Sequence, residues 1–172
     1  MNASDGLFTD KVRVNWTVVP GATGYKVLRS SGTDPLTVVA SIGSTDIVFP
    51  DLSASVGVTY TYVVRATTPL GDGPDSASVT GWRAPPAPAG LTATNGAQPD
   101  RVQLGWNPVP QGTGYVIFRK SGESAPVSIG NASTPIFLDT TAVPGILYEY
   151  FVRTNSPAGN GPPSGRTPDG VP

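Results

Sequence analysis

The chain has 172 residues, with 12 acidic and 11 basic side chains, a formal charge of −1, and neither cysteine nor histidine. That balance leaves no electrostatic case for nucleic acid or an anionic membrane surface. The missing residue types exclude thiol catalysis, Ser-His-Asp triads, zinc sites built on Cys or His, and disulfides. The 21 glycines and 19 prolines suit short strands joined by tight turns. No apolar run approaches the roughly 18 residues of a membrane helix, and no signal-peptide pattern follows Met1.

Residues 2–5 read as the tail of a first strand, ended by Gly6. From Lys11 to Trp16 the pattern alternates. Val12, Val14 and Trp16 face one way and Lys11, Arg13 and Asn15 the other, as a strand with one buried face requires. Pro20-Gly21 turns the chain into Tyr25–Arg29, with Tyr25 and Val27 inward, and Ser31-Gly32 closes it. Short apolar stretches at 36–42 and 46–49 follow. Gly57 to Ala66 then sets Tyr60, Tyr62, Val64 and Ala66 on one face and Thr61, Val63 and Arg65 on the other. Pro69 to Pro74 reads as a hairpin-like loop into a last strand at about 76–82.

The whole pattern then repeats. A shift of 90 residues lays Trp16, Pro20, Gly24, Tyr25 and Arg29 over Trp106, Pro110, Gly114, Tyr115 and Arg119. A two-residue loop difference changes the offset to 88, where Asp51, Gly57, Tyr60, Tyr62, Arg65, Gly73 and Pro74 meet Asp139, Gly145, Tyr148, Tyr150, Arg153, Gly161 and Pro162. The matches are aromatics, turn glycines and prolines, and they predict two copies of one domain, at 1–84 and 85–172. The second copy's opening strand, from Leu91 to Asn95, reads as longer, so the first copy's is shortened. Between the copies, Arg83 to Gly90 holds three prolines and reads as a stiff, extended connector that sets the domains end to end.

Each copy therefore predicts seven short strands and no helical periodicity, an all-β fold of two antiparallel sheets packed face to face. Gly57 and Gly145 lie just before the tyrosine strands. Tyr60 and Tyr148 can bury their rings there while each hydroxyl bonds back to the corner backbone, the tyrosine corner of immunoglobulin-like sandwiches. Four features carry a family resemblance: Trp closing the second strand, Gly-Tyr-x-Val in the third, Gly-x-x-Tyr-x-Tyr-x-Val in the sixth, and Gly-x-Gly-Pro after it. In that order, twice over, they resemble tandem fibronectin type III domains across essentially the whole chain. The opening from Asp5 to Trp16 looks more like the kind found in bacterial secreted and surface proteins. The resemblance implies an extracellular or cell-surface, non-catalytic spacer or interaction module of a larger protein. Its implied partners are neighbouring domains of the same chain, and protein or polysaccharide. No Arg-Gly-Asp is present.

Inward parity makes Trp16 and Trp106 core residues rather than sugar-stacking platforms. Trp82 has no aromatic counterpart in the second copy, where Gly165-Arg166 stands near that point, so it is a candidate domain junction. Val116, Phe118 and Phe151 project outward on adjacent strands of the second copy and form a candidate interaction surface; Lys26, Leu28 and Val63 replace them in the first. Asp51 and Asp139 are placed to accept backbone N–H bonds at the corner. Asp72 and Asp75 match no calcium loop. Asn2, Asn15 and Asn131 fit the N-glycosylation pattern without further support. No catalytic, cofactor or metal residues are assigned. The alternatives to a spacer are self-assembly or adhesion in a filament or surface layer, with the tail 167–172 as a spare pairing segment, and an accessory glycan-binding module.

Overall fold

Alternating side chains require two sheets that close over each other, and each half of the chain builds such a pair. The computed structural model describes residues 1–167 and 170–172 and divides into two compact units, Met1–Ala84 and Pro85–Pro172. In the first unit, β1 (Asn2–Ala3), β2 (Val12–Asn15) and β5 (Val48–Asp51) form one sheet in the order β1-β2-β5. The facing sheet runs β4 (Thr37–Gly43), β3 (Gly24–Ser31), β6 (Thr59–Thr68), β7 (Gly71–Asp75), with β8 (Val79–Trp82) also on β6. In the second unit, β9 (Thr92–Ala93), β10 (Val102–Gly105) and β13 (Ile136–Asp139) make the smaller sheet. The larger one runs β12 (Val127–Ala132), β11 (Gly114–Lys120), β14 (Glu149–Ser156), β15 (Gly159–Pro163). Every strand pairing is antiparallel. The described residues hold no helix.

Parity places the cores as the alternation requires. Val12, Val14, Trp16, Tyr25, Val27, Tyr60, Tyr62 and Val64 form the first cluster; Val102, Leu104, Trp106, Tyr115, Ile117, Tyr148, Tyr150 and Val152 form the second. Each indole meets its neighbouring tyrosine edge-on, Trp16–Tyr25 at 5.4 Å and Trp106–Tyr115 at 5.1 Å between ring centroids. Gly57 and Gly145 turn the corner at φ of +69° and +78°, a region costly for other residues. Beyond them the Tyr60 hydroxyl accepts the Ser55 amide at 3.2 Å, and the Tyr148 hydroxyl accepts the Val143 amide at 3.3 Å. Both tyrosine corners are formed.

Three details differ from the sequence reading. Gly71–Asp75, most of it read as a loop, forms β7, and the strand expected at about 76–82 is split off from it as β8, giving eight strands rather than seven. At the split, the Val64 amide donates to the Ser76 hydroxyl at 3.0 Å instead of to a strand carbonyl. In the second unit the Val152 amide donates to Ser164 in the same way, also at 3.0 Å, and β15 ends. The first strand is also not shortened relative to its counterpart: β1 and β9 have two residues each. Each ladder stops where a hydroxyl, of Ser4 or Thr94, takes the amide of Arg13 or Gln103. Finally, the tail is not spare. The Thr167 amide donates to the Tyr150 carbonyl and its hydroxyl accepts the Tyr150 amide, Gly170 bridges Tyr148, and Val171 bridges Asn95, so the segment pairs along the edge of its own unit. Pro168 and Asp169 of that tail lie outside the described residues.

Candidate functional site

The same polar node is built in both units from one strand end and the strand facing it. Arg29 has the parity of Tyr25 and Val27, so it enters the interior at the end of β3, where Asp51 closes β5. Its guanidinium donates to Asp51 Oδ2 at 2.7 Å and to the Ser53 hydroxyl at 2.9 Å, and lies 4.4 Å over the Tyr60 ring. The Tyr62 hydroxyl donates to the same Asp51 oxygen at 2.8 Å. The other oxygen accepts the Ser53 amide and hydroxyl at 3.0 and 2.7 Å. Arg119, Asp139, Thr141, Tyr148 and Tyr150 repeat every one of these contacts.

Asp51 and Asp139 are 1% and 2% exposed. Burial pushes both carboxyls up, but hydrogen bonds from Ser53, Arg29 and Tyr62, or from Thr141, Arg119 and Tyr150, outweigh it and hold both below the usual carboxylate range. Burial and the bond to the carboxylate push the Tyr62 and Tyr150 hydroxyls far above the ordinary tyrosine value. A carboxylate with every lone pair engaged and a phenol that ionises only in strong alkali do not exchange protons near neutrality. The node holds strands together. Sequence reasoning placed the corner acceptors but missed the two arginines; the available signal was a charged residue on a core parity.

The outer faces of the two large sheets have diverged. In the second unit Phe118 and Phe151 are a cross-strand pair whose rings stack at 4.8 Å with 7° between planes. Arg153 lies over Phe118 at 5.9 Å. Both rings and Val116 are half-buried, and none belongs to the core cluster. In the first unit the matching pair is Leu28 and Val63, each 5% exposed. Beside them the outer face carries ions: Lys26 pairs with Asp72 at 2.8 Å and Arg65 with Asp75 at 2.6 Å. Those two carboxylates thus face cations rather than an open calcium loop. Among the described residues no group of three or more His, Cys, Asp or Glu could hold a metal ion.

Trp16 and Trp106 are 7% and 6% exposed, and both indole nitrogens are buried without a hydrogen-bond partner. They pack the core and offer no platform for a sugar. Trp82 is half-buried at the end of β8. Its ring lies on Gly6, where a side chain would collide with it, so it packs within its own unit. The first unit also carries an apolar groove of about 290 Å³ beside Trp16 and Tyr25. No helix of the described residues is long and apolar enough to cross a membrane.

No family model matches this chain. Among solved structures, a two fibronectin type III domain segment from chicken tenascin is similar over 94% of this chain and 92% of that one, with 14% sequence identity and a TM-score of 0.68. The fold is that of a fibronectin type III pair. A Fn3-like protein from Clostridium thermocellum matches 49% of the chain and 90% of its own, at 24% identity and a TM-score of 0.45. The FN1–FN3 domains of chicken CNTN1 cover 100% of the chain and 68% of theirs, at 20% identity and a TM-score of 0.48. The fibronectin type III fold accounts for the paired sheets, the two tyrosine corners and the tryptophans between the layers. It assigns no ligand, because function on such a scaffold lies in grafted surface features.

Proposed function

We propose that this tandem fibronectin type III pair is a non-catalytic spacer and interaction module of a larger secreted or cell-surface protein. The observation that carries this reading is the twofold recurrence of the Asp-Arg-Tyr node. The most strongly perturbed ionisable groups of each unit are engaged in holding its own sheets together, and the same investment is made twice. A spacer needs that kind of chemistry: sandwiches that fold by packing and present divergent outer faces to neighbouring domains. Light scattering across a hundredfold range of protein concentration tests the reading. A constant single-chain mass supports it, and a mass that grows with concentration overturns it.

The stacked Phe118–Phe151 pair favours a second reading, adhesion or self-assembly through the outer face of the second unit. Under that reading Phe118→Ser and Phe151→Ser abolish the growth of mass with concentration. Growth that persists in both variants removes the pair from the interface.

A further inference from the structure

The first sandwich is open at the end where β3 runs into the turn from Ser31 to Asp34. A cleft of about 440 Å³ lies there, lined by Arg29, Ser31, Asp34, Pro35, Thr37 and Tyr60 among others. Arg29 and Ser31 share the inward parity of Val27. Thr37 stands opposite Arg29 on β4, and Tyr60 opposite Ser31 on β6. The cleft is therefore a mouth of the interior, where the strand alternation turns polar residues inward in place of apolar ones.

Its walls carry unengaged hydrogen-bonding groups of both kinds. Arg29 holds the polar node through Nη1 alone; Nε and Nη2 bond to no described residue, and neither is shut off from solvent. The Asp34 amide donates to the Ser31 carbonyl at 3.0 Å, while its exposed carboxylate meets no cation or donor among the described residues. The second unit completes the same turn differently. The Ser124 amide donates to the Ser121 carbonyl as Asp34 does to Ser31. The Ser124 hydroxyl, however, is engaged within the turn, donating to the Ser121 carbonyl at 2.6 Å and accepting the Ser121 amide at 3.1 Å. Lys120, at the position of Ser30, pairs with Glu149 at 3.4 Å, and Val127 stands where Thr37 does. Each of these differences is a substitution in the interior of the chain.

We propose that this cleft of the first unit binds a neutral sugar residue. The Arg29 charge is matched by Asp51, so Asp34 leaves the cleft with a net negative charge that disfavours anions. A cation would be driven against the guanidinium. Neighbouring sugar hydroxyls, each donor and acceptor at once, fit the set: the carboxylate accepts from them, and the Arg29 edge and the Ser31 hydroxyl donate to their oxygens. The volume lies within the ordinary range of small-ligand sites, about 300–1,000 Å³. Tyr60 is 8% exposed with Arg29 over its ring, so it offers an edge and no stacking face. Binding here rests on hydrogen bonds in an open cleft and is correspondingly weak.

The test is an amide NMR titration of the full chain with cellotriose, maltotriose and methyl α-mannoside, and with trigalacturonate and the glucosamine trimer as charged controls. The expected result is a saturable shift of the Ser31, Asp34 and Thr37 amides with at least one neutral sugar, at a Kd on the order of 1–10 mM. The two trisaccharides stand for polysaccharide and the mannoside for a protein-linked glycan, so the sugar that binds identifies the source. Asp34→Ser with Thr37→Val copies the second unit and should weaken binding by about tenfold or more. Asp34→Asn, which keeps the shape of the side chain, should weaken it in the same direction. Both changes are on the surface, and Tm should stay within about 2 °C of wild type. No saturable shift with any neutral sugar at about 100 mM would overturn the proposal. So would tighter binding of a charged trimer, equal shifts at Ser121, Ser124 and Val127, or undiminished binding by folded Asp34 variants.

Discussion

The Tyr62 hydroxyl donates to Asp51 at 2.8 Å, inside a sandwich whose remaining interior is almost entirely apolar. The phenol is fully buried and the carboxylate 1% exposed, so neither can turn to water if the other is removed. Hydrogen bonds to a charged group contribute about 1.5–3 kcal/mol each. Tyr62→Phe keeps the ring and deletes only the donor, and should therefore lower the Tm of the first unit by at least ~6 °C. Tyr150→Phe should do the same to the second. Thermal melts followed by near-ultraviolet circular dichroism measure this; a shift under ~2 °C would mean that the hydroxyl contributes little.

Titration of the same pair predicts stability losses on both sides of neutrality. Asp51 and Asp139 are held below the ordinary value despite burial, by hydrogen bonds from Ser53 or Thr141, from the arginine and from the tyrosine. Their contribution is therefore complete above the unfolded pKa of about 3.9 and is lost as pH falls through the folded one. Tyr62 and Tyr150 are pushed up by burial and by the bond to the carboxylate. Their contribution is complete below the unfolded pKa of about 10 and declines as pH rises from there toward the folded value. Tm should be nearly flat between about pH 5 and 9 and fall beyond either limit. The double variant Tyr62→Phe, Tyr150→Phe should flatten the alkaline side; an unchanged alkaline slope would assign that loss to other groups.

Removing the cation from the node should cost more than removing the phenol donor. Arg29→Met leaves the Asp51 carboxylate buried with its charge uncompensated, a change worth about 3–5 kcal/mol when one partner of a buried pair is lost. Arg29 is itself only 20% exposed on its side chain, so solvent screens the pair little. The expected order of Tm in the first unit is wild type, then Tyr62→Phe, then Arg29→Met. If Arg29→Met melted at or above Tyr62→Phe, the cation–carboxylate contact would be worth less than the neutral one.

Most of the fold was legible because its signal is local. Alternation with period two fixes which face each strand buries, and Val12, Val14, Tyr60, Tyr62 and Val64 all reach the core by that rule. The corner was legible because glycine is the residue that adopts the φ of Gly57 and Gly145 at least cost. The polar node was half legible. Asp51 and Asp139 announce themselves by position, but Arg29 reads as an ordinary strand-end cation until the facing sheet supplies its partner. The groove beside Trp16 was not legible, because its walls come from residues far apart in the chain, Met1, Val19, Val64 and Ser76 among them. The equal length of β1 and β9 was missed for a similar reason. Of the stretch Leu91–Asn95 that read as strand in the second unit, only Thr92–Ala93 pairs as one.

The stacked pair on the second unit's outer face should contribute to stability even though it lies outside the core. Phe118 and Phe151 are directly opposed and parallel at 4.8 Å. Aromatic pairs of this kind are worth about 0.5–1.5 kcal/mol beyond the area they bury. Replacing both with the first unit's residues, Phe118→Leu and Phe151→Val, keeps an apolar cross-strand pair and removes the stack. Tm of the second unit should fall by roughly 2–12 °C on that basis. An unchanged Tm would leave the pair with no role in stability and strengthen its reading as a contact surface.

The two serines at the strand break should differ in cost, because the amides they serve differ in burial. Ser164 takes the Val152 amide within the interior, and Ser164 itself is 7% exposed. Ser76 takes the Val64 amide at a part-buried position beside the open groove. Ser164→Ala strands a buried N–H that water cannot reach, a penalty of about 1–3 kcal/mol. Ser76→Ala leaves an amide that a water in the groove can satisfy, so its cost should be clearly smaller. Amide hydrogen exchange resolves the two sites directly: Val152 should lose protection in Ser164→Ala by more than Val64 does in Ser76→Ala. Equal losses would mean that the groove beside Val64 is as dry as the interior around Val152.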